Sequence, residues 1–282
     1  MRRIQVPSDW DFAADYDAIV SSMRPKATKN AMRERRGVIL ESYDCYQKSV
    51  PDLASLAAIK LPNEIATKLR DSIKAGSRSE ACNAMVSRVF SLCEYTCLFC
   101  DISPAEGVDH YLPKEDYPEF SLYANNLIGA CSSCNSTKLK DGWRDVDGGR
   151  AIFHPYHDDM DIDKEYLVAH VGMVNGRRPE ARYELRVDRE NARGFERHLD
   201  LHFDRLNLLW KCGWAGTKKL LDIAGDLGAT TRPSLSKARS WLRRVADQRQ
   251  KLYGNLHWQT ALYRGAANSD AFLEYALSGK RQ

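Results

Sequence analysis

Four cysteines set in two Cys-x-x-Cys pairs constrain this chain more than any other feature. Cys97-Leu-Phe-Cys100 and Cys131-Ser-Ser-Cys134 flank a polar loop. A Cys-x-x-Cys turn places two thiolates on one side of a tight bend. Two such turns make a tetrahedral sulfur set of the kind that holds zinc. That ion would be structural, because four protein ligands leave no position open for water or substrate. Its binding free energy would fold a segment too rich in loops to build much core. The rival reading is a redox-active dithiol, but no βαβ pattern surrounds either pair. The other cysteines, Cys45, Cys82, Cys93 and Cys212, are irregularly spaced and read as buried structural thiols. Cys93 lies near the first pair, but Cys97 has the partner spacing of a ligand.

In a cytoplasmic chain disulfides are disfavoured, so the paired thiols suggest a metal. The N-terminus is basic, then acidic from Asp9 to Asp17, and lacks the apolar core of a secretory signal. Apolar runs long enough to span a bilayer are absent, so no membrane is expected and a cytoplasmic location is the default. The formal charge of +4 and pI near 8.5 permit nucleic-acid binding without demanding it.

Three regions follow from pattern. Residues 1–90 read as helical, through Lys29 to Lys48, Pro62 to Lys74 with Asn63 as a cap, and Ser79 to Leu92. In the last of these Ala81, Met85, Val86, Val89 and Phe90 form an apolar stripe. Residues 91–159 are rich in Cys, Gly, Asn, Asp and Pro, which suits loops around a site. Residues 160–282 begin with a β-pair, Val168 to Met173 and Ala181 to Val187, turning at Asn175-Gly176. Glu190 to Lys211 reads as a helix buried through Phe195, Leu199, Phe203, Leu206 and Trp210. Ser234 to Arg264 reads as one long helix, with Trp241, Leu242, Val245, Leu252 and Leu256 as candidates for burial. Asp270 to Leu277, capped by Ser269, reads as a last short helix. The fold class expected is α+β and mostly helical.

Between the cysteine pairs lies Val108-Asp109-His110-Tyr111-Leu112-Pro113-Lys114. The second pair sits in Asn125-Asn126-Leu127-Ile128-Gly129-Ala130-Cys131-Ser132-Ser133-Cys134-Asn135-Ser136-Thr137-Lys138. In order, these are Cys-x-x-Cys, Asp-His with a following Pro, Asn-Leu, Cys-x-x-Cys-Asn, and Lys three residues on. The stretch from Cys97 to Lys138 resembles the HNH, or ββα-metal, endonuclease family in its zinc-stapled form. The resemblance implies a central ββα-metal core, phosphodiester hydrolysis, and a bend at Asp109-His110 that lets both side chains approach one phosphate. Without that bend, adjacent strand residues would face opposite sides. It also implies that Asn126 holds the His-bearing loop by hydrogen bonds. The last family position is Asn135 rather than His.

The residue types suit that chemistry on their own. Hydrolysing a phosphodiester needs a water nucleophile, a base to deprotonate it, and a cation for the developing charge. His110 is the candidate base. Asp109 and Asn135 offer the oxygen ligands that Mg²⁺ or Mn²⁺ prefers. Asn135 and Lys138 share a face of a short helix running from Ser132 to near Gly142, with Lys138 as a phosphate contact. His154, in Phe153-His154-Pro155-Tyr156-His157, is read first as a packed or hydrogen-bonded residue and second as a phosphate or metal contact.

Two basic sets, Lys138-Lys140-Arg144 and Lys237-Arg239-Arg243-Arg244, are candidates for tracking a phosphate backbone, although the second also fits the wet face of a helix. The expected substrate is nucleic acid, with DNA ahead of RNA. The layout also loosely resembles the HNH nuclease subunit of Septu-type anti-phage systems, which implies an ATPase partner. The competing class is a non-catalytic, zinc-stapled nucleic-acid-binding or adaptor module. It needs the four cysteines but not Asp109, His110 and Asn135 together.

Overall fold

The computed structural model describes residues 2, 4–74, 76, 78–158, 164–190, 194–229 and 234–278, without the side chains at 140 and 141. Lys140, and the boundary at residues 159 and 160, lie outside that description. The fold is α+β, and helices predominate. Among the described residues there are two sheets, each of two antiparallel strands. No described helix is long and apolar enough to cross a membrane. The chain divides into two compact units, one of residues 3–99 and 103–158, the other of residues 1–2, 100–102 and 159–282. Most of the regions 1–90 and 91–159, read separately in the sequence, thus falls in one unit.

In the first unit, α1 (Phe12–Ser21) is capped by Asp11, whose carboxylate accepts from the Ala14 amide. Helices α2 (Lys26–Glu34) and α3 (Arg36–Ser49) follow. The single helix expected over Lys29 to Lys48 is thus two, divided at Arg35. Helix α4 (Asn63–Ser72) starts one residue earlier than a cap at Asn63 would allow, and Pro62 holds the cap position. Helix α5 (Glu80–Leu92) is capped by Ser79 and buries Met85, Val86 and Val89 of the expected stripe.

Then β1 (Gly107–His110) pairs with β2 (Leu127–Ala130), Asp109 opposite Ile128 and His110 opposite Leu127. Helix α6 (Ser132–Asp141) follows directly and stops at Gly142, whose φ of 76° suits glycine. Tyr43 and Tyr46 of α3 pack on Phe120 and Tyr123 of the β1–β2 connection. The Tyr43 and Tyr123 rings stack 4.2 Å apart, and Tyr46 meets Phe120 edge-on at 5.2 Å. Each such buried ring contributes roughly 1.5–3 kcal/mol of hydrophobic stabilisation. This aromatic layer ties the helices to the loop that carries the candidate site.

In the second unit, β3 (Leu167–Val174) and β4 (Arg178–Leu185) form a hairpin that turns through Asn175 and Gly176, both at positive φ. Five helices follow: α7 (Gly194–Arg205), α8 (Leu208–Gly228), α9 (Leu235–Tyr253), α10 (Trp258–Ala267) and α11 (Asp270–Leu277). The sequence expected one helix across 190–211, but Asn207 takes a left-handed conformation and breaks it. The break resets the helical phase. Leu199, Phe203 and Leu206 are buried, but Trp210 is 63% exposed. Gly254, at φ 82°, likewise splits the helix expected over 234–264. Leu242 and Leu256 are buried there, and Leu252 is exposed. The side chain of Ser269 caps α11 by accepting from the Phe272 amide.

Candidate functional site

The four cysteines of the two pairs come together. Cys97, Cys100, Cys131 and Cys134 are all buried, and their sulfur atoms lie within 4.8 Å of one another. The backbone sets this up. The Cys97 amide donates to Ser103 O at 2.9 Å, and the Leu98 amide donates to Gly129 O at 2.9 Å, which lays the first turn along β2. Cys131 occupies the N-cap position of α6, and Cys134 lies one turn inside it. A tetrahedral S₄ set around zinc, with Zn–S of about 2.3 Å, fits this spacing. Cys93 is also buried, and its thiol donates to Phe90 O. A Cβ at Gly129 would meet the Cys93 sulfur at 2.5 Å, so Gly129 is what lets β2 pass that thiol. Cys82 and Cys212 are buried as expected. Cys45 is exposed, contrary to expectation, because it falls on the outer face of α3.

Beside the cysteine cluster, Asp109, His110, Asn135 and Lys138 line one cavity of about 610 Å³. The ends of β1 and one face of α6 form its floor. The N-terminus of α6 is held to the residue before β1: the Glu106 carboxylate accepts from the Ser132 amide at 2.9 Å and from the Ser132 hydroxyl. A carboxylate at that end also complements the helix dipole.

His110 is buried, and its Nε2 lies 3.1 Å from Ser121 O. A carbonyl oxygen only accepts, so Nε2 carries the proton and Nδ1 keeps its lone pair. Burial, opposed by that hydrogen bond and reinforced by Lys114 and Lys138, brings the imidazole pKa down to about 3. The ring is therefore neutral at pH 7, with one nitrogen oriented and the other left with a free lone pair.

Asn126 grips the backbone just beyond His110. Its Oδ1 accepts from the Leu112 amide at 2.8 Å, and its Nδ2 donates to Leu112 O at 3.1 Å. Asn125 lacks this grip; its amide donates to the Tyr123 hydroxyl at 3.3 Å.

Lys138, expected to contact phosphate, is instead 3% exposed in its side chain. Its ammonium donates to His110 O at 2.6 Å and pairs with Asp109 Oδ2 at 2.8 Å. It closes α6 onto β1. Burial pushes the Asp109 carboxyl above its ordinary pKa, and the nearby ammonium opposes that rise. Asn135 Oδ1 is buried and has no hydrogen-bond partner among the described residues. An orphaned amide oxygen lining the same cavity as a carboxylate offers donors of the kind that a hard divalent cation takes.

His154 is fully buried behind this loop. Its Nδ1 accepts from the Tyr156 amide, so Nε2 donates to the Tyr46 hydroxyl at 2.9 Å. Its place is that of a packed, hydrogen-bonded residue. Arg150 forms a bidentate pair with Asp158, at 2.6 and 3.1 Å, and Asp158 also accepts from the His154 amide. Arg144, expected at a basic edge, stacks over Trp143 and donates to the Tyr117 hydroxyl. In the second unit Lys237, Arg243 and Arg244 are exposed, while Arg239 pairs with Asp270.

Sequence reasoning missed Ser121, Glu106 and Tyr46. Ser121 acts through its carbonyl, which any residue would supply, so no side-chain signal existed. Glu106 and Tyr46 act across 26 and 108 positions, at Ser132 and His154, and no local spacing marks such pairs.

No family model matches the chain, and no solved structure matches it significantly. Protein ea31 of Escherichia phage lambda is 27% identical over 233 residues, covering 78% of this chain and 75% of that protein. That likeness is distant and carries no activity to this chain.

Proposed function

We propose that this chain is a metal-dependent endonuclease of the HNH type that hydrolyses phosphodiester bonds of nucleic acid, with DNA as the favoured substrate. The observation that carries the reading is the buried His110 ring, oriented through Nε2 by Ser121 O, in one cavity with Asp109 and Asn135. The order β1, β2, α6, with one pair of zinc-type cysteines ahead of β1 and the other at the start of α6, is the order expected of a ββα-metal core.

In this mechanism His110 Nδ1 takes a proton from the attacking water, and the Ser121 carbonyl stabilises the imidazolium that forms at Nε2. Asp109 and Asn135 would hold Mg²⁺ or Mn²⁺, which would neutralise charge on the phosphate and the leaving oxygen. Asn126 fixes the turn after His110, so the base does not have to be ordered during reaction. The four cysteines hold Zn²⁺ as a brace and take no part in proton transfer.

One observation favours a second reading, a zinc-stapled binding or adaptor module. The Lys138 ammonium already neutralises Asp109, and it stands beside the carboxylate where a divalent cation would. Plasmid cleavage with added Mg²⁺ or Mn²⁺ separates the two readings. Wild type is expected to nick and linearise the plasmid. His110→Ala is expected to lose at least about a hundredfold in rate, the usual worth of a general base, with zinc content and melting unchanged. Equal rates in both proteins would remove His110 from the chemistry, and no cleavage by either would favour the module. The proposed anti-phage setting and ATPase partner stand on layout alone, and co-purification from the native host tests them.

A further inference from the structure

The cavity has a second wall, which comes from the helical region ahead of the cysteines. Ile73 and Lys74, just after α4, and Arg78, just before α5, line it together with Asp109, His110 and Asn135. The Arg78 Nε donates to Ile73 O at 2.9 Å. One of the five guanidinium N–H donors is thus used to hold the group, and the side chain is only half-buried. No described carboxylate lies within ion-pair distance of Arg78. Lys114, on the loop after β1, lines the same cavity, is half-buried and also lacks a carboxylate partner among the described residues. The other cations in the cavity differ. Lys138 is neutralised by Asp109, and Lys74 pairs with Asp71. Of the acids in the cavity, Glu106 is committed to the start of α6. Glu115 and Asp116 are exposed at the rim.

Two half-buried cations that line one cavity and have no described carboxylate partner make a favourable place for an anion from outside. A guanidinium anchored at Nε presents the remaining fork as a bidentate donor for phosphate oxygens, and an ammonium adds a point charge. We infer that Arg78 and Lys114 form a phosphate clamp that grips the nucleic-acid backbone next to the phosphate being cut. This inference rests on the nuclease reading. It makes the N-terminal helices part of the substrate site rather than a cover over it.

The test uses the full zinc-loaded chain and a fluorescein-labelled DNA duplex. Binding is read by anisotropy across a salt series without added divalent cation, so no cleavage intervenes. Arg78→Ala is expected to weaken binding about tenfold and to lower the slope of log affinity against log salt by about one. Lys114→Ala should lower the slope by a similar amount. Arg78→Lys keeps the charge and should keep the slope while losing part of the affinity. In cleavage assays, Arg78→Ala is expected to raise KM about tenfold, with a larger effect on KM than on kcat.

Wild-type affinity and slope in both alanine variants would overturn the clamp. If wild type cuts and Arg78→Ala cuts with unchanged KM, the clamp falls and the nuclease reading stands. If binding depends on Arg78 but wild type never cuts, the nuclease reading falls, and with it the placement of the clamp beside a scissile phosphate; Arg78 is then a backbone contact of a binding module. Zinc content and melting temperature of each variant separate lost contacts from lost fold. Should Arg78→Ala fail to fold, Lys114→Ala decides the question alone.

Discussion

Lys138 brings a full positive charge to a place that water barely reaches, and only Asp109 and the His110 carbonyl receive it. Removing one partner of such a pair leaves the other charged and buried, which costs about 3–5 kcal/mol. Lys138→Met is therefore expected to lower unfolding free energy by about 3 kcal/mol at pH 7. Adding Asp109→Asn in the same chain should recover most of that loss, since neither charge then remains. Urea unfolding of wild type, both single variants and the double variant gives the coupling directly, and strictly additive losses would contradict the pairing. The four thiolates make a different prediction. One zinc per chain is expected by elemental analysis. Cys97→Ser or Cys131→Ser should drop it well below one and leave the protein poorly soluble, because the metal's binding energy is folding energy for this segment. A soluble, folded, zinc-free variant would refute the brace.

Elements succeed or fail where backbone conformation and distant packing decide them. Helix α10 crosses β3 at Gly265, where a Cβ would meet Ala169 O at 2.2 Å. Gly265→Ala must push the helix off the sheet and is expected to destabilise the second unit by roughly 1–3 kcal/mol, the usual cost of overpacking, read as a lower thermal midpoint. An unchanged midpoint would mean that this approach is not tight. In the first unit, Tyr46 of α3 accepts the Nε2 proton of His154. Tyr46→Phe leaves that buried donor unpaired and should cost about 1–3 kcal/mol. The same logic explains what the sequence disclosed. That Asp109, His110 and Asn135 share one cavity was legible because they lie within 30 positions of one another; what they do there was not. The β3–β4 hairpin was legible because Asn-Gly carries its own turn geometry. The helix breaks at Asn207 and Gly254 were not, because apolar spacing of three and four continues through both. Trp210 and Leu252 were accordingly assigned to the wrong face. Lys138 was misplaced for a related reason: helical phase gives the face, but not what buries it.

Across the whole molecule, buried neutral histidines set the response to acid. In the first unit, burial holds the imidazole of His110 down to about 3 and that of His154 well below its ordinary value. In the second unit, His257 is held at about 2, chiefly by burial with added repulsion from Arg249 and Arg2, even though Asp101 Oδ2 lies 3.5 Å from its Nε2. The unfolded chain protonates each of these near pH 6.5, and the folded chain does not. Stability is therefore fully present above about pH 6.5 and is lost as pH falls from there toward the folded values. The loss is about 1.4 kcal/mol per pH unit for each histidine once its unfolded form is fully protonated. Asp109 and Glu119 act against this in the first unit. Burial raises both carboxyls, so the folded state takes up their protons first and gains stability over its unfolded form as pH drops. Unfolding free energies at pH 7.0 and 5.5 test this. His154→Gln and His257→Gln should each reduce the difference between the two pH values by roughly one proton's worth. A slope that neither substitution changes would show that these imidazoles are protonated in the folded state after all.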